Sequence, residues 1–269
     1  MMEWITLTTF LLVGFVIGSF LNVVIHRGPV IWGLIDESHS QYGTLARPGS
    51  YCPFCQHSLS VKNLIPVISY FLQGGRCTSC QAPISRRYPT VEILGGIAAL
   101  VTYFTFGLSF LAFAFCLFYF VLITAATIDL ETGYLPDMLT LPLLALGICL
   151  NTVDLVAPFP ASIIGGIMGY GVFRAIGELF KIVRKKEGLG QGDAKLLGAI
   201  GAWGGWEVLA PTVFIAAMIS LIGVGIWKLA KKPVDANTEI PLGPALALAG
   251  AIFVTIFSTG LPASFGLSG

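Results

Sequence analysis

Long apolar runs separated by short polar turns dominate the chain. A helix needs about 20 apolar residues to cross a bilayer. Eight segments approach or reach that length: residues 5–25, 91–106, 108–128, 135–150, 161–180, 194–204, 208–227 and 242–258. The pattern predicts an all-α polytopic membrane protein with about eight transmembrane helices. One long polar stretch interrupts it, so three divisions are expected: a first anchor over 1–26, a cysteine-bearing domain over 27–89, and a transmembrane domain over 90–269. No Lys or Arg precedes the first apolar run and Glu3 does, which argues for a retained anchor over a secretory signal.

The segment 194–204 is short, a length that also suits a re-entrant or interfacial segment; charge parity favours a true short crossing, for which locally thinned bilayer is one route. Its small residues Ala194, Gly198 and Ala202 recur every fourth position, as in closely packed membrane helices. Gly14 with Gly18, and Gly165 with Gly169, offer the same kind of contact.

Charge placement sets the orientation. Among 269 residues, 55% are hydrophobic and 11% charged, with a net charge of +1; the mean hydropathy is +0.85. A soluble chain carries about 25% charged residues. Lys and Arg fall in three clusters: Arg27 to Arg87, Arg174 to Lys195, and Lys228 to Lys232. Even numbers of candidate spans separate them, so all three share one side, which the positive-inside rule makes the cytoplasm. Both termini are then expected outside. A partner with a nucleic-acid backbone is not expected; the lipid bilayer is.

The polar stretch holds "CPFC" (Cys52, Cys55) and "CTSC" (Cys77, Cys80). Paired CxxC knuckles suit tetrahedral thiolate coordination of a structural zinc ion. Two disulfides are the rival reading, and a cytoplasmic location disfavours them. His57 is a substitute ligand in reserve, His26 and His39 read as interfacial or loop residues, and Cys116 and Cys149 read as inert packing residues.

Two acids stand out in apolar surroundings. Asp129 closes the third span and Asp193 opens the sixth, after Gly190-Gln191-Gly192. Parity places both at the cytoplasmic edge, where two carboxylates on different helices can share a site. Such a pair supports aspartic proteolysis: one carboxylate activates water while its protonated partner polarises the scissile carbonyl. Asp193 also stands where a helix cap belongs. Asp137 reads as a cap for the fourth span, and Glu131 and Glu187 as neighbours able to tune the site. A proton-coupled transporter using the two acids as a relay is the alternative from another class. A zinc-bearing scaffold without catalysis is a third.

These residues together resemble the type IV prepilin peptidases, membrane aspartic endopeptidases of the GxGD class. The resemblance rests on "GSFLNVVIHR" (Gly18–Arg27), "CPFC", "GRCTSC", "ISRRYPTVE" (Ile84–Glu92), "DLETGYLPDMLTLP" (Asp129–Pro142), "EGLGQGDAKLLGAIGAW" and "IPLGPALALAG" (Ile240–Gly250), in order along nearly the whole chain. It implies cleavage of the leader peptide of prepilins and pseudopilins on the cytoplasmic side of the bacterial inner membrane, after a glycine. The substrate's apolar segment stays in the bilayer. It also implies Asp129 and Asp193 as the catalytic pair, Gly190 and Gly192 as the turn presenting Asp193, and Cys52, Cys55, Cys77 and Cys80 as the cysteine quartet. A second activity is implied by resemblance alone: N-methylation of the new N-terminus from S-adenosylmethionine. No glycine-rich cofactor loop marks where that cofactor binds.

Overall fold

Helices form at every one of the eight apolar segments in the computed structural model, which describes residues 2–35, 44–47, 49–185, 190–229 and 242–260. The described residues contain no strand, only two isolated bridges in the cysteine-bearing stretch. His39, Lys186, Glu187, Lys231 and Lys232 lie outside them. Five of the helices are long and apolar enough to cross a membrane: Glu3–Ile31, Arg87–Phe106, Phe110–Thr132, Phe159–Val183 and Trp206–Ile226. The three others, at candidate spans four, six and eight, are shorter.

Two compact units divide the chain, Met1–Thr124 and Ala125–Gly269. In the first, α1 (Met2–Ile31) packs along α3 (Arg87–Phe106). The contact is close because it is made by glycines. A Cβ on Gly14 would fall 2.6 Å from the Gly95 carbonyl oxygen, and one on Gly18 would fall 2.8 Å from the Glu92 Cα. Small residues let helix backbones approach where lipid gives no hydrophobic drive to associate. The buried Asn22 amide then donates to the Tyr88 carbonyl (3.1 Å), tying the two helices together. A short helix α2 (Ile68–Leu72) and the cysteine knuckles lie between α1 and α3 in the chain. Cys116, on α4 (Phe110–Thr132), is buried against the Thr102 hydroxyl at 2.9 Å.

The second unit is built around α7 (Gln191–Gly204), which packs against α6 (Phe159–Arg184), α5 (Asp137–Asn151) and α9 (Gly243–Ser258). Every residue from Leu196 to Gly204 is buried. Bilayer thinning is therefore not needed for this helix: protein surrounds it, so its length of about 21 Å is never matched to lipid. The seam with α6 again lacks side chains. A Cβ on Gly169 would sit 2.6 Å from the Leu197 carbonyl oxygen, and one on Gly198 would sit 3.2 Å from that of Gly166. Cys149, by contrast, lies exposed on α5 and takes no part in packing.

One buried side chain fixes the far end of α7. Asn151 Nδ2 donates to the carbonyls of Ala202 and Trp203, both at 3.0 Å. Its Oδ1 accepts from the backbone N–H groups of Val156 (2.9 Å) and Ala157 (3.0 Å). The Trp203 indole N–H donates to the Leu143 carbonyl at 2.9 Å, so α5 and α7 are joined twice. Replacing Asn151 by Leu strands several buried polar groups at about 1–3 kcal/mol each. Asn151→Leu should therefore lower the thermal unfolding temperature in detergent clearly, by roughly 3 kcal/mol of stability or more. An unchanged melting curve would show that this anchor is dispensable.

Candidate active site and metal centre

Asp129 and Asp193 come together in the second unit because two helix ends meet there. Helix α4 stops just after Asp129: Gly133 takes a left-handed conformation (φ 70°), and its N–H donates to the Asp129 carbonyl at 2.8 Å. Helix α7 starts at Gly190, which serves as its N-cap. Asp193 is the third residue of α7, and its carboxylate folds back against Gly190 at the helix start. The charge of Asp129 acts directly on Asp193.

A third helix end completes the site. The Gly243 N–H, at the start of α9, acts on the Asp129 carboxylate. A Cβ at Gly243 would fall 2.6 Å from Asp129 Oδ2, and a Cβ at Gly190 would fall 3.0 Å from Asp193 Oδ2. Each acid thus lies against one glycine, with no side chain in the way. Asp129 is 6% exposed, and its Oδ2 is buried without a hydrogen-bond partner.

The glycines before Asp193 act through missing volume and not through an unusual bend. Gly190 is extended (φ −65°, ψ 138°), a conformation open to any residue, and Gly192 lies within the first turn of α7. A Cβ on Gly192 would meet Leu135 Cβ at 2.6 Å. Gly192 therefore lets the α4–α5 connection close onto α7.

Asp137 does not cap α5. Pro136 holds the cap position without a side-chain bond, and the Asp137 carboxylate pairs with Lys195 at 2.5 Å. That ion pair bolts the start of α5 to α7 two residues beyond Asp193. Glu131 is exposed on the last turn of α4. Sequence reasoning gave no role to Gly243, Leu135 or Lys195. The lone glycine in "IPLGP" was the one available signal for Gly243.

In the first unit the four knuckle cysteines converge. All four Sγ atoms lie within 4.8 Å of one another, with Cys52 to Cys80 at 3.8 Å and Cys55 to Cys77 at 4.0 Å. A tetrahedral zinc with bonds of about 2.3 Å sets its sulfurs about 3.8 Å apart. No disulfide forms among them, and His57 is not part of the cluster.

The two knuckles repeat one another. In each, the residue after the second cysteine is a glutamine at positive φ (Gln56 57°, Gln81 61°) that donates to the first cysteine's carbonyl. In each, an isolated bridge closes the loop: Tyr51 with Ser58, and Arg76 with Pro83. The recurrence of CxxCQ was visible in the sequence, but its meaning as a duplicated turn was not.

The backbone N–H of Cys80, then that of Ser79, holds the Cys77 thiol down to about 6. Burial and its cluster neighbours push Cys80 the other way, to about 12, so Cys77 is the readier of the two to meet a metal cation as thiolate. Metal content measured by mass spectrometry should fall on acidification, because protons compete with the metal for the thiolates. Replacing both Cys52 and Cys77 by Ser should remove the metal at neutral pH. Undiminished metal would break the four-cysteine assignment.

Comparison with known proteins agrees with this arrangement. Residues 12–106 match the bacterial peptidase A24 N-terminal domain, and residues 116–226 match the type IV leader peptidase family. The chain is 38% identical to a prepilin leader peptidase/N-methyltransferase of Pseudomonas aeruginosa, over 90% of this chain and 87% of that protein. Proteins of the same name are 40% identical in Burkholderia pseudomallei (90% and 82% covered) and 34% identical in Neisseria gonorrhoeae (90% and 87% covered). No solved structure matches the chain. With two such carboxylates on meeting helix ends, and likeness along nearly its whole length, the chain belongs to the type IV leader peptidase family.

Proposed function

We infer that this protein is a membrane endopeptidase that removes the leader peptide of type IV prepilins and pilin-like proteins, then N-methylates the new N-terminus. The observation that carries the peptidase reading is the meeting of Asp129 and Asp193, each set against a glycine at a helix start. No support exists for the proton-relay transporter: the acids sit at helix ends and the relatives are peptidases.

Asp129 and Asp193 act as one unit. The ionised carboxylate takes a proton from water, and that water attacks the scissile carbonyl. The protonated carboxyl donates a hydrogen bond to the carbonyl oxygen and later gives its proton to the leaving amine. Gly190 and Gly243 lie against the two carboxylates. Their missing side chains leave room for an extended peptide backbone over the pair. Lys195, paired with Asp137, holds α5 and α7 in register so that the acids stay opposed.

The cysteine quartet holds a structural zinc ion; with four thiolates it leaves no open position for water and takes no part in hydrolysis. S-adenosylmethionine supplies the methyl group for the second activity. Charge parity supports eight crossings of the bacterial inner membrane. It also supports both termini outside, with the knuckles and the acid pair on the cytoplasmic side.

In detergent with a purified prepilin, Asp129→Asn and Asp193→Asn should each cut the cleavage rate by about 10²–10⁴-fold while the protein stays folded. Full cleavage by either variant would overturn the two-aspartate mechanism. Gly243→Val should also slow cleavage strongly with both acids present, since its Cβ meets the Asp129 carboxylate. Reporter fusions at Gly205 and at the C-terminus should both signal outside the cytoplasm. A cytoplasmic signal from either would refute the eight-crossing topology.

A further inference from the structure

The polar stretch between α1 and α3 folds around the cysteine knuckles, yet the segment joining those knuckles is not polar. Six of the twelve residues from Val61 to Leu72 are large apolar side chains left in the open: Val61, Leu64, Ile65, Ile68, Phe71 and Leu72. Val61, Phe71 and Leu72 are 82%, 68% and 81% exposed. Neither the 3-10 turn Val61–Leu64 nor α2 buries a single residue. Exposed apolar residues scattered singly are ordinary, but a cluster of them marks an interaction surface. On a crossing helix lipid would cover such residues; this segment lies outside every membrane-length helix described.

A side chain from the membrane fixes its depth. Glu92 is the sixth residue of α3, which is long and apolar enough to cross a bilayer. Its Oε2 accepts from the Val67 backbone N–H at 2.7 Å. Five residues of helix rise about 7.5 Å, so Val67 is held level with the second turn of α3. Helices that lie in a membrane interface bury their apolar face about 5–10 Å into the headgroup and acyl boundary. The tie is made under constraint: Val67 has φ 61° and ψ −54°, which a β-branched residue adopts only where its surroundings enforce it.

Charge points the same way. Residues 38–91 contain Arg47, Lys62, Arg76, Arg86 and Arg87 and no Asp or Glu. Lys62, within the apolar segment, and Arg76, just after it, are exposed. A metal-bound thiolate quartet offsets part of that positive charge and does not reverse it. Basic groups beside an exposed apolar face are drawn to anionic lipid headgroups.

We propose that Val61–Leu72 is an interfacial foot docked in an anionic lipid surface. Ile68, Phe71 and Leu72 enter the headgroup and acyl boundary beside α3, and Lys62 and Arg76 meet the headgroups. Backbone hydrogen bonds join this foot to both knuckles. Just before it, the Leu59 N–H donates to the Ser50 carbonyl at 2.9 Å. At its far end the Gly75 N–H donates to the Tyr70 carbonyl at 2.9 Å, and the Ile84 N–H donates to the Gly75 carbonyl at 2.8 Å. Lipid thus sets the height of the cysteine cluster over the bilayer. That task needs α3 as a crossing and no part of the peptidase chemistry.

The test places the photocrosslinking residue p-benzoylphenylalanine at single positions of the full-length protein, in vesicles of phosphatidylethanolamine and phosphatidylglycerol. Circular dichroism and size-exclusion profiles like those of the wild type report that each variant is folded. By mass spectrometry, positions 71 and 72 should each give lipid adducts at no less than a third of the level at position 104, where Phe104 is exposed on α3. At position 71 phosphatidylglycerol should be enriched at least twofold over its share at position 104. Lys62→Gln combined with Arg76→Gln should abolish that enrichment. Adducts at 71 and 72 to protein instead of lipid, or lipid adducts tenfold below those at 104, would overturn the foot in favour of a protein-binding face or bare solvent. No enrichment of phosphatidylglycerol would overturn the anionic surface as its partner. Absence of lipid adducts at 104 would overturn the crossing of α3, and the foot with it.

Discussion

The close approach of α7 to its neighbours is the contact on which the second unit, and the acid pair it carries, depends. In lipid there is no water to drive apolar helices together, so backbone proximity and interhelical hydrogen bonds must do it. Glycines at 165, 169, 198 and 201 remove the side chains that would hold α6 and α7 apart. Asn151 and Trp203 then bind the buried end of α7 to α5 through two hydrogen bonds from the Asn151 amide and one from the indole. A helix held on several sides cannot drift along its axis, and its first turn carries Asp193.

That rigidity has a direct chemical consequence. Two carboxylates must stay opposed within a fraction of an ångström to share work on one peptide bond. Here both stand at helix ends, where backbone N–H groups are left over from the helix ladder. Gly190 and Gly243, at two such helix starts, lie against Asp193 and Asp129. The same positions must lack side chains, because a Cβ would strike the carboxylates they serve. Positioning and access are thus met by one residue type.

The first unit solves a different problem. A polar stretch of some sixty residues with few apolar clusters has little core of its own. Two copies of one cysteine turn gather four sulfurs into a cluster able to hold a metal. Glu92 and Asn22 fasten the neighbouring backbone to helices built for lipid. Polar groups buried on such helices are expensive, and each has a use here.

The helical class, the location of the eight apolar helices, the cysteine quartet and both acids were legible in the sequence. Each is a local signal: apolar run length, CxxC spacing, a carboxylate in an apolar setting. Gly14 with Gly18 and Gly165 with Gly169 were legible as close contacts for the same reason, since spacing on one helix face is a local property. Partners were not legible. Asp137 read as a cap from its Pro-Asp setting, yet its charge belongs to Lys195, 58 residues away. Gly190 and Gly192 read as a bend, yet their backbone is ordinary and their function is absent volume. Cys149 read as packed because its helix is apolar, although which face of that helix is covered depends on neighbours. Asn151 gave no signal at all, and Gly243 only a lone glycine between prolines. The sequence by itself determined which segments are helices and which residue types carry chemistry, because those follow from neighbours within a turn or two. Only the tertiary structure decided which carbonyl meets Asn151 and which glycine cradles Asp129, because those contacts join residues tens to more than a hundred positions apart, and no local pattern encodes them.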